Sequence, residues 1–199
     1  DGKSERLNRS ESANSNNRNE NRNTEADNAS VFQIVRARKR ILKSESYFYG
    51  ASVMIRRLQK PDIDTVSDIW LEANRDTHDF IPAEYWENEF LPVKEMLLQA
   101  EVYVYTDEYK NEIEGFVGLD QEYIAGIFVR KEARSKGIGK ALLDFVKGKK
   151  QELTLNVYQK NERAVRFYER ERFYIVESTM DESTGEKEYL MRWSCKVNI

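Results

Sequence analysis

A short apolar strand, a basic loop and a helix that opens on two glycines follow one another over residues 123–143. Gly137 and Gly139 stand in the first turn of the predicted helix. Glycine there lets the backbone approach a ligand closely, and the free N–H groups and dipole of a helix N-terminus attract an anion. The segment therefore favours a fold in which a strand leads into a helix N-terminus that binds an anion, above all a diphosphate.

The loop residues distinguish this segment from other anion-binding motifs. Arg134, Lys136 and Lys140 supply positive charge around the helix start. No Gly-Lys-Ser/Thr follows, which excludes a Walker loop, and the preceding strands read as an antiparallel meander rather than the parallel unit of a dinucleotide site. A second interpretation stays open, in which the two glycines only allow close packing of the helix on the sheet.

The pattern of apolar residues predicts a single mixed α/β (α+β) domain. Its order is strand, two helices, three strands, helix, strand, helix and two strands. Such an order predicts a mixed, mostly antiparallel sheet with helices on both faces. Pro92 is expected to break or kink the second helix. The predicted strands span residues 53–58, 101–106, 112–119, 122–129, 153–158, 173–179 and 187–193, and the predicted helices span 61–74, 82–96, 137–150 and 161–170.

Two regions of different composition divide the chain. Residues 1–52 form a polar leader or tail, and 1–30 have too few apolar side chains to offset the entropy of ordering, which predicts disorder. Within this region, residues 31–43 have the pattern of a short basic amphipathic helix. Residues 53–195 are the predicted folded domain.

Composition limits the cellular context and the partners. The net charge of −3 argues against a general nucleic-acid binder, so no nucleic-acid partner is expected. The single cysteine, Cys195, excludes an intrachain disulfide and fits a cytoplasmic protein. No apolar run reaches the roughly 18 residues of a membrane span, and no Cys/His spacing suggests a metal. A monomer or a homodimer is expected.

Two motifs in order resemble those of the GNAT N-acetyltransferase superfamily. The first is Arg134-x-x-Gly137-x-Gly139 after an apolar strand, and the second is Asn161-x-x-Ala164-x-x-Phe167-Tyr168. The resemblance covers about residues 53–193. Three positions depart from the family pattern, because Lys131 replaces a proline and Ser135 and Arg172 replace glycines.

The resemblance implies a site for acetyl-CoA as co-substrate. Strand residues would pair their backbone with the pantetheine and the thioester carbonyl, the loop would hold the pyrophosphate, and Asn161 would bind the pantetheine arm. Tyr168 would act as general acid near the sulfur. The residues implied to bind the cofactor are Ile127, Phe128, Val129, Arg134, Ser135, Lys136, Gly137, Ile138, Gly139, Lys140 and Asn161.

The acceptor side resembles a branch of small bacterial protein-lysine acetyltransferases. The resemblance lies in residues 69–85, where His78 is the only histidine of the chain. His78 is a candidate base for the amine proton, with ordering of the interhelix loop as the alternative. Strand alternation puts Tyr123 on the side of Ile127 and Val129, where it could hold a proton-relay water. Glu84 and Glu122 are further candidate carboxylates.

Three functions follow as hypotheses. The first is transfer of the acetyl group of acetyl-CoA directly to an amine, either a protein lysine or a small amine, in a ternary complex. The second is a catalytically inactive acyl-CoA sensor of the same fold, although retention of Tyr168 favours the enzyme. The third is a membrane or nucleic-acid association led by residues 31–43.

Overall fold

A computed structural model describes residues 53–107 and 112–196 in full and the backbone of residues 47–48. The predictions for residues 1–46 and 49–52, including the disordered leader and the basic helix, lie outside the described residues. The described sheet begins at Tyr47–Phe48, ahead of the predicted domain boundary at residue 53.

From residue 53 onward, strands and helices follow the predicted order, and the strand at Tyr47–Phe48 precedes them without having been predicted. The strands are β1 (Tyr47–Phe48), β2 (Val53–Arg57), β3 (Glu101–Asp107), β4 (Glu112–Asp120), β5 (Tyr123–Val129), β6 (Glu152–Tyr158), β7 (Tyr174–Met180) and β8 (Lys187–Ser194). The helices are α1 (Ile63–Thr77), α2 (Ala83–Leu97), α3 (Ile138–Lys147) and α4 (Glu162–Arg170), with short 3-10 turns at Lys60–Asp62 and Lys131–Ala133.

One sheet holds all of these strands, in the order β1-β2-β3-β4-β5-β6-β8-β7. Every neighbouring pair is antiparallel except β5 and β6, which are parallel. Parallel neighbours need a crossover connection, and α3 provides it. The sheet therefore consists of two antiparallel halves that meet at β5 and β6.

Helices cover both faces of the sheet. Ile138, Leu142 and Tyr168 from α3 and α4 pack on one face, which we call the α3–α4 face. Val66 and Trp86 from α1 and α2 pack on the other, the α1–α2 face. The predicted mixed α/β architecture with helices on both faces is confirmed.

Helix α2 runs through Pro92, so of the predicted break or kink the break is wrong, and the kink stays a prediction. Proline inside a helix removes one N–H donor and costs about 3 kcal/mol. Trp86 before the proline and Leu97 after it are both only 7% exposed. Burial of two such side chains contributes roughly 1.5–3 kcal/mol each, which is enough to hold both halves of the helix on the sheet.

Helix α4 ends in a Schellman motif at Arg172, which stands where the family pattern has glycine. The N–H of Arg172 donates to the Glu169 carbonyl and that of Phe173 to the Tyr168 carbonyl, both at 2.9 Å. The motif requires a left-handed residue, and Arg172 adopts φ 67°. The rings of Tyr168 and Phe173 pack 5.5 Å apart and complete the motif. The left-handed position thus persists without its glycine.

We expect Arg172→Gly to raise the free energy of unfolding by about 0.5 kcal/mol. The change relieves roughly 1–2 kcal/mol of left-handed strain and adds roughly 0.5–1 kcal/mol of chain entropy cost. Chemical denaturation would measure the difference. Arg170→Gly, in the regular last turn of α4, is the control and should instead destabilise by about 1 kcal/mol. Equal destabilisation by both changes would contradict the strain at Arg172.

Candidate active site

Strands β5 and β6 separate immediately after they meet. Their register contains the single pair Tyr123 and Thr154, supported by a 2.9 Å bond from the Thr154 N–H to the Glu122 carbonyl. Both strands continue for several residues beyond that pair. A gap therefore opens between β5 and β6. Beyond the single pair, the backbone N–H and C=O groups on the facing edges of the two strands do not pair with each other.

The backbone of Ile127 and Val129 faces this gap. The Arg130 N–H donates to the Glu114 carbonyl on β4 at 2.9 Å. Because successive residues of a strand direct their backbone groups to opposite edges, Phe128 also pairs with β4, whereas Ile127 and Val129 direct theirs to β6. The Val129 carbonyl already accepts a 3.2 Å bond from Arg134 Nε.

The other predicted strand residue, Phe128, lies in the core on the α1–α2 face. Its ring stacks on Phe116 with centroids 5.0 Å apart. A Cβ added to Gly126 would lie 2.3 Å from the Phe128 ring, so the glycine leaves the space that this ring fills. Phe128 thus contributes packing beside the gap.

A bulge in β5 reverses the expected side of Tyr123. The register with β4 passes from Leu119–Ile124 to Gly118–Gly126, so Ala125 is an extra residue. Ile124 packs in the same core cluster as Ile127 and Val129, which places Tyr123 on the opposite, α1–α2 face. The alternation that put Tyr123 beside Ile127 and Val129 was wrong, because it assumed an unbroken strand.

Tyr123 is instead close to charged groups on that face. Burial raises the pKa of its hydroxyl, the negative charge of Glu188 raises it further, and the backbone N–H of Asn156 on β6 lowers it. The Tyr123 hydroxyl therefore lies at the start of the gap, across from β6.

The loop before α3 presents backbone N–H groups. Ser135 has φ 63° and Gly137 has φ 85°, both in the left-handed region. The first bond of α3 runs from the Ala141 N–H to the Gly137 carbonyl at 2.9 Å, so the N–H groups of residues 138–140 have no partner within the helix. Left-handed residues in such a loop can form a concave anion-binding surface. A Cβ built on Gly137 would have no atom within 4 Å, so the space beside this residue is open.

The side chains around the loop differ in what they can offer an anion. Lys136 is exposed, whereas the Lys140 ammonium lies 3.0 Å from Asp144 and 3.1 Å from Glu171. These two carboxylates raise the pKa of Lys140, Asp144 more than Glu171. The charge of Lys140 is thus already neutralised, which leaves its backbone N–H for the loop.

Ile138 and Gly139 position the helix. Ile138 is buried in the core on the α3–α4 face. A Cβ on Gly139 would lie 3.8 Å from Phe167 and 4.0 Å from Ile127, which is ordinary contact. Close packing therefore does not require glycine at position 139, since a Cβ would fit there, while Gly137 is needed for its left-handed backbone.

Ion pairs and a hydrogen bond fix the loop to two helices. Asp76, near the end of α1, binds Arg134 and also Lys131, the latter at 2.6 Å. Hydrogen bonds from Lys131 and then Arg134 lower the pKa of the Asp76 carboxyl. On the other side, Arg163 of α4 donates to Ser135 Oγ at 2.9 Å. Lys131 and Ser135, which depart from the family pattern, thus both take part in holding the loop.

Asn161 and Tyr168 come from α4. Asn161 is the N-cap, since its Oδ1 accepts the Ala164 N–H at 3.1 Å, and its Nδ2 lies 3.1 Å from Nε2 of His78. Tyr168 is 8% exposed in the core on the α3–α4 face. Burial raises the pKa of the Tyr168 hydroxyl and the nearby Tyr123 adds to the shift, which keeps the hydroxyl protonated.

His78 lies among aromatic rings. Its centroid is 5.2 Å from that of Tyr158, 5.4 Å from Trp86 and 5.6 Å from Phe80. Burial lowers the pKa of His78 to about 4, although the charge of Asp79 opposes the shift. With so low a pKa, His78 is a poor general base for removing a proton from an ammonium group near neutral pH.

Sequence reasoning missed the acidic side of the gap. Glu188 on β8 accepts hydrogen bonds from the Asn156 amide and from Thr179 at 3.3 Å, both on Oε1. Asp181, at the β7–β8 turn, accepts from the Tyr158 hydroxyl at 2.5 Å. The only sequence signal was their place at the ends of the last two strands, which does not reveal what those ends face.

The described residues offer neither a metal site nor a membrane-spanning helix. No three His, Cys, Asp or Glu side chains are grouped so as to hold a metal ion within residues 53–107 and 112–196. None of the helices described above is both long and apolar enough to cross a membrane. The candidate carboxylates Glu84 and Glu122 are exposed.

Comparison with known proteins identifies the family. Residues 99–175 match the acetyltransferase (GNAT) domain. Peptidyl-lysine N-acetyltransferase YiaC of Escherichia coli strain K12 is 34% identical over 142 residues, covering 70% of this chain and 96% of YiaC. Peptidyl-lysine N-acetyltransferase YjaB of the same strain is 30% identical over 124 residues, covering 62% and 84%. The solution structure of apo-form E. coli YjaB matches with a TM-score of 0.65 at 26% identity, covering 72% of this chain and 98% of YjaB.

The chain therefore belongs to the GNAT acetyltransferase family. It is an acetyl-CoA-dependent N-acetyltransferase, which transfers the acetyl group to an amine. The family, the fold and the reaction predicted from the sequence are confirmed.

We expect Gly137→Asp to weaken acetyl-CoA binding at least tenfold in titration calorimetry. The carboxylate would enter the open space beside the loop and repel a diphosphate, whose interactions with N–H groups are charge-assisted. Gly185→Asp is the matched control, because Gly185 also has a left-handed φ, 72°, and open space around it. Both variants should lose similar stability, but only the first should lose affinity. Equal affinities would refute the assignment of this loop to the pyrophosphate.

Proposed function

We propose that the amine acceptor is the side chain of a protein lysine. The observation that carries this proposal is the pair of carboxylates, Glu188 and Asp181, beside aromatic rings on the α1–α2 face of the gap. A carboxylate suits the ammonium of lysine, and aromatic walls suit its aliphatic stem. Two relatives, YiaC and YjaB, are peptidyl-lysine N-acetyltransferases by name, which supports the same acceptor class.

The two carboxylates differ in what they offer. Burial raises the pKa of Asp181, but hydrogen bonds from Tyr158, Ser183 and Thr184 outweigh it and leave the pKa below its usual value. Asp181 is thus ionised and fully engaged in fixing the β7–β8 turn. Glu188 receives its two bonds on Oε1, which leaves Oε2 for an incoming ammonium group.

The donor thioester would occupy the gap from the side of α3 and α4. The N–H groups of residues 138–140, which have no partner within the helix, and the loop at residues 134–137 would hold the pyrophosphate. The free edge of β5 at Ile127 and Val129 would pair with the pantetheine and the thioester carbonyl. Asn161 would bind the pantetheine arm through its amide.

The two faces of the gap would then divide the chemistry. A neutral amine attacks the thioester carbon, so the carbonyl oxygen gains negative charge that a backbone N–H of β5 can stabilise. Tyr168, held protonated by burial, donates a hydrogen bond or a proton to the departing thiolate. The proton of the incoming ammonium passes to water held by the Tyr123 hydroxyl, next to Glu188.

We expect Tyr168→Phe to lower turnover about a hundredfold, because general acid catalysis contributes roughly 10²–10⁴-fold. Acetyl-CoA affinity should change little, since the hydroxyl acts on the leaving group. Free-thiol release and titration calorimetry would measure the two quantities. Tyr103→Phe is the control: Tyr103 is also buried, its hydroxyl bonds to Glu101 at 2.8 Å on β3, and its loss should leave turnover unchanged. If Tyr168→Phe lowered acetyl-CoA affinity and turnover to the same extent, Tyr168 would have a structural role and no catalytic one.

We expect Glu188→Gln to raise the KM for a lysine peptide about tenfold. A hydrogen bond to a charged group contributes roughly 1.5–3 kcal/mol, and the amide keeps the shape while removing the charge. Glu182→Gln, on the exposed β7–β8 turn, should leave the KM unchanged. A higher kcat/KM for small polyamines than for lysine peptides would overturn the acceptor assignment.

A further inference from the structure

One segment at the end of α1 contacts both elements expected to hold acetyl-CoA. Asp76 binds Arg134 and Lys131 of the pyrophosphate loop, and His78 binds Asn161 at the start of α4. The segment itself is firmly placed, because the His78 N–H donates to the Asn74 carbonyl and its carbonyl accepts from Ile81, both at 3.0 Å. Residues 76–78 therefore link the loop after β5 to the helix after β6.

The hydrogen bonds of Asn161 define the protonation of His78. The Asn161 Oδ1 accepts the Ala164 N–H at 3.1 Å, which assigns the amide orientation and makes Nδ2 the atom that faces His78. Because Nδ2 only donates, Nε2 of His78 must accept. The imidazole is then neutral, with its proton on Nδ1.

The surroundings of His78 agree with a neutral imidazole. Three aromatic rings, those of Phe80, Trp86 and Tyr158, lie within 5.6 Å of its centroid. Among the described residues, the buried Nδ1 has no hydrogen-bond partner. Burial disfavours the imidazolium more than the charge of Asp79 favours it, and the lowered pKa of His78 has the same cause.

We infer that His78 is a positioning residue, which fixes the Asn161 amide so that the second Nδ2 proton is directed to the pantetheine arm of acetyl-CoA. The inference rests on the proposed cofactor site. Without the acceptor at Nε2 the amide is still an N-cap, but its Nδ2 protons lose one of the two contacts that define their direction. The role of His78 is thus to prepare the binding site, and proton transfer from the amine takes place elsewhere.

A pair of substitutions separates this role from aromatic packing. His78→Phe keeps a ring among the aromatic neighbours and removes the acceptor, whereas His78→Gln loses the ring and keeps a carbonyl oxygen at similar reach. We expect the Phe variant to bind acetyl-CoA five- to tenfold more weakly in calorimetry and the Gln variant to stay within threefold of the wild type. The reverse order would show that the ring only packs, and two variants with wild-type affinity and reduced kcat would show that His78 is the base.

A double-mutant cycle tests whether His78 acts through Asn161. Asn161→Ser keeps an N-cap oxygen and removes the amide. In that background, His78→Phe should cause no further loss of acetyl-CoA affinity, whereas an undiminished five- to tenfold loss would overturn the inference. If the wild-type protein bound no acetyl-CoA, the proposed cofactor site itself would fail. If wild type and variants all bound acetyl-CoA equally well, only the role of His78 would fail.

The tautomer can also be measured without any substitution. His78 is the only histidine, so its imidazole nitrogen resonances are unambiguous in the ¹⁵N-labelled full chain. We expect the neutral form with the proton on Nδ1 at pH 7. A proton on Nε2, or an imidazolium at that pH, would overturn the inference even if the variants failed to fold.

Discussion

The site depends on the single register pair between β5 and β6. A parallel pair with a full ladder would close the sheet and bury every backbone group between the two strands. Here the strands meet at Tyr123 and Thr154 and then diverge, while each remains paired on its other edge. The backbone of Ile127 and Val129 is thereby available to a ligand at no cost to the rest of the sheet. The two flanking helices, α3 and α4, begin at the open end and place their N-termini there.

Long-range contacts hold the open end in shape. Two positions where the family has glycine, Ser135 and Arg172, keep a left-handed backbone with other residues. Ser135 accepts a hydrogen bond from the distant Arg163, and Arg172 is held by the Schellman motif. The departures from the family pattern thus alter the side chains and preserve the backbone path. This is expected where surrounding contacts determine a conformation more strongly than the residue's own preference.

The two faces of the gap carry different chemistry. The α3–α4 face supplies the left-handed loop before α3 and the protonated hydroxyl of Tyr168, which in the proposed function would serve a thioester with a diphosphate. The α1–α2 face supplies Glu188, Asp181 and aromatic rings, which suit a cation with an apolar stem. His78 lies on this second face and bonds to Asn161, which belongs to the first. In the proposed function, the acceptor side would therefore contribute to the shape of the donor side before either substrate arrives.

The sequence by itself determined the order of strands and helices from residue 53 onward and the helix that begins at Gly137. These features depend on residue periodicity and on local backbone preferences, which act over a few neighbouring residues. Only the tertiary structure decided the face of Tyr123, the pairing of Lys140 with two carboxylates, the continuity of α2 through Pro92 and the approach of Glu188 to the gap. A one-residue bulge reverses a strand's sides, and contacts between distant segments follow from packing, so neither can be read from local pattern.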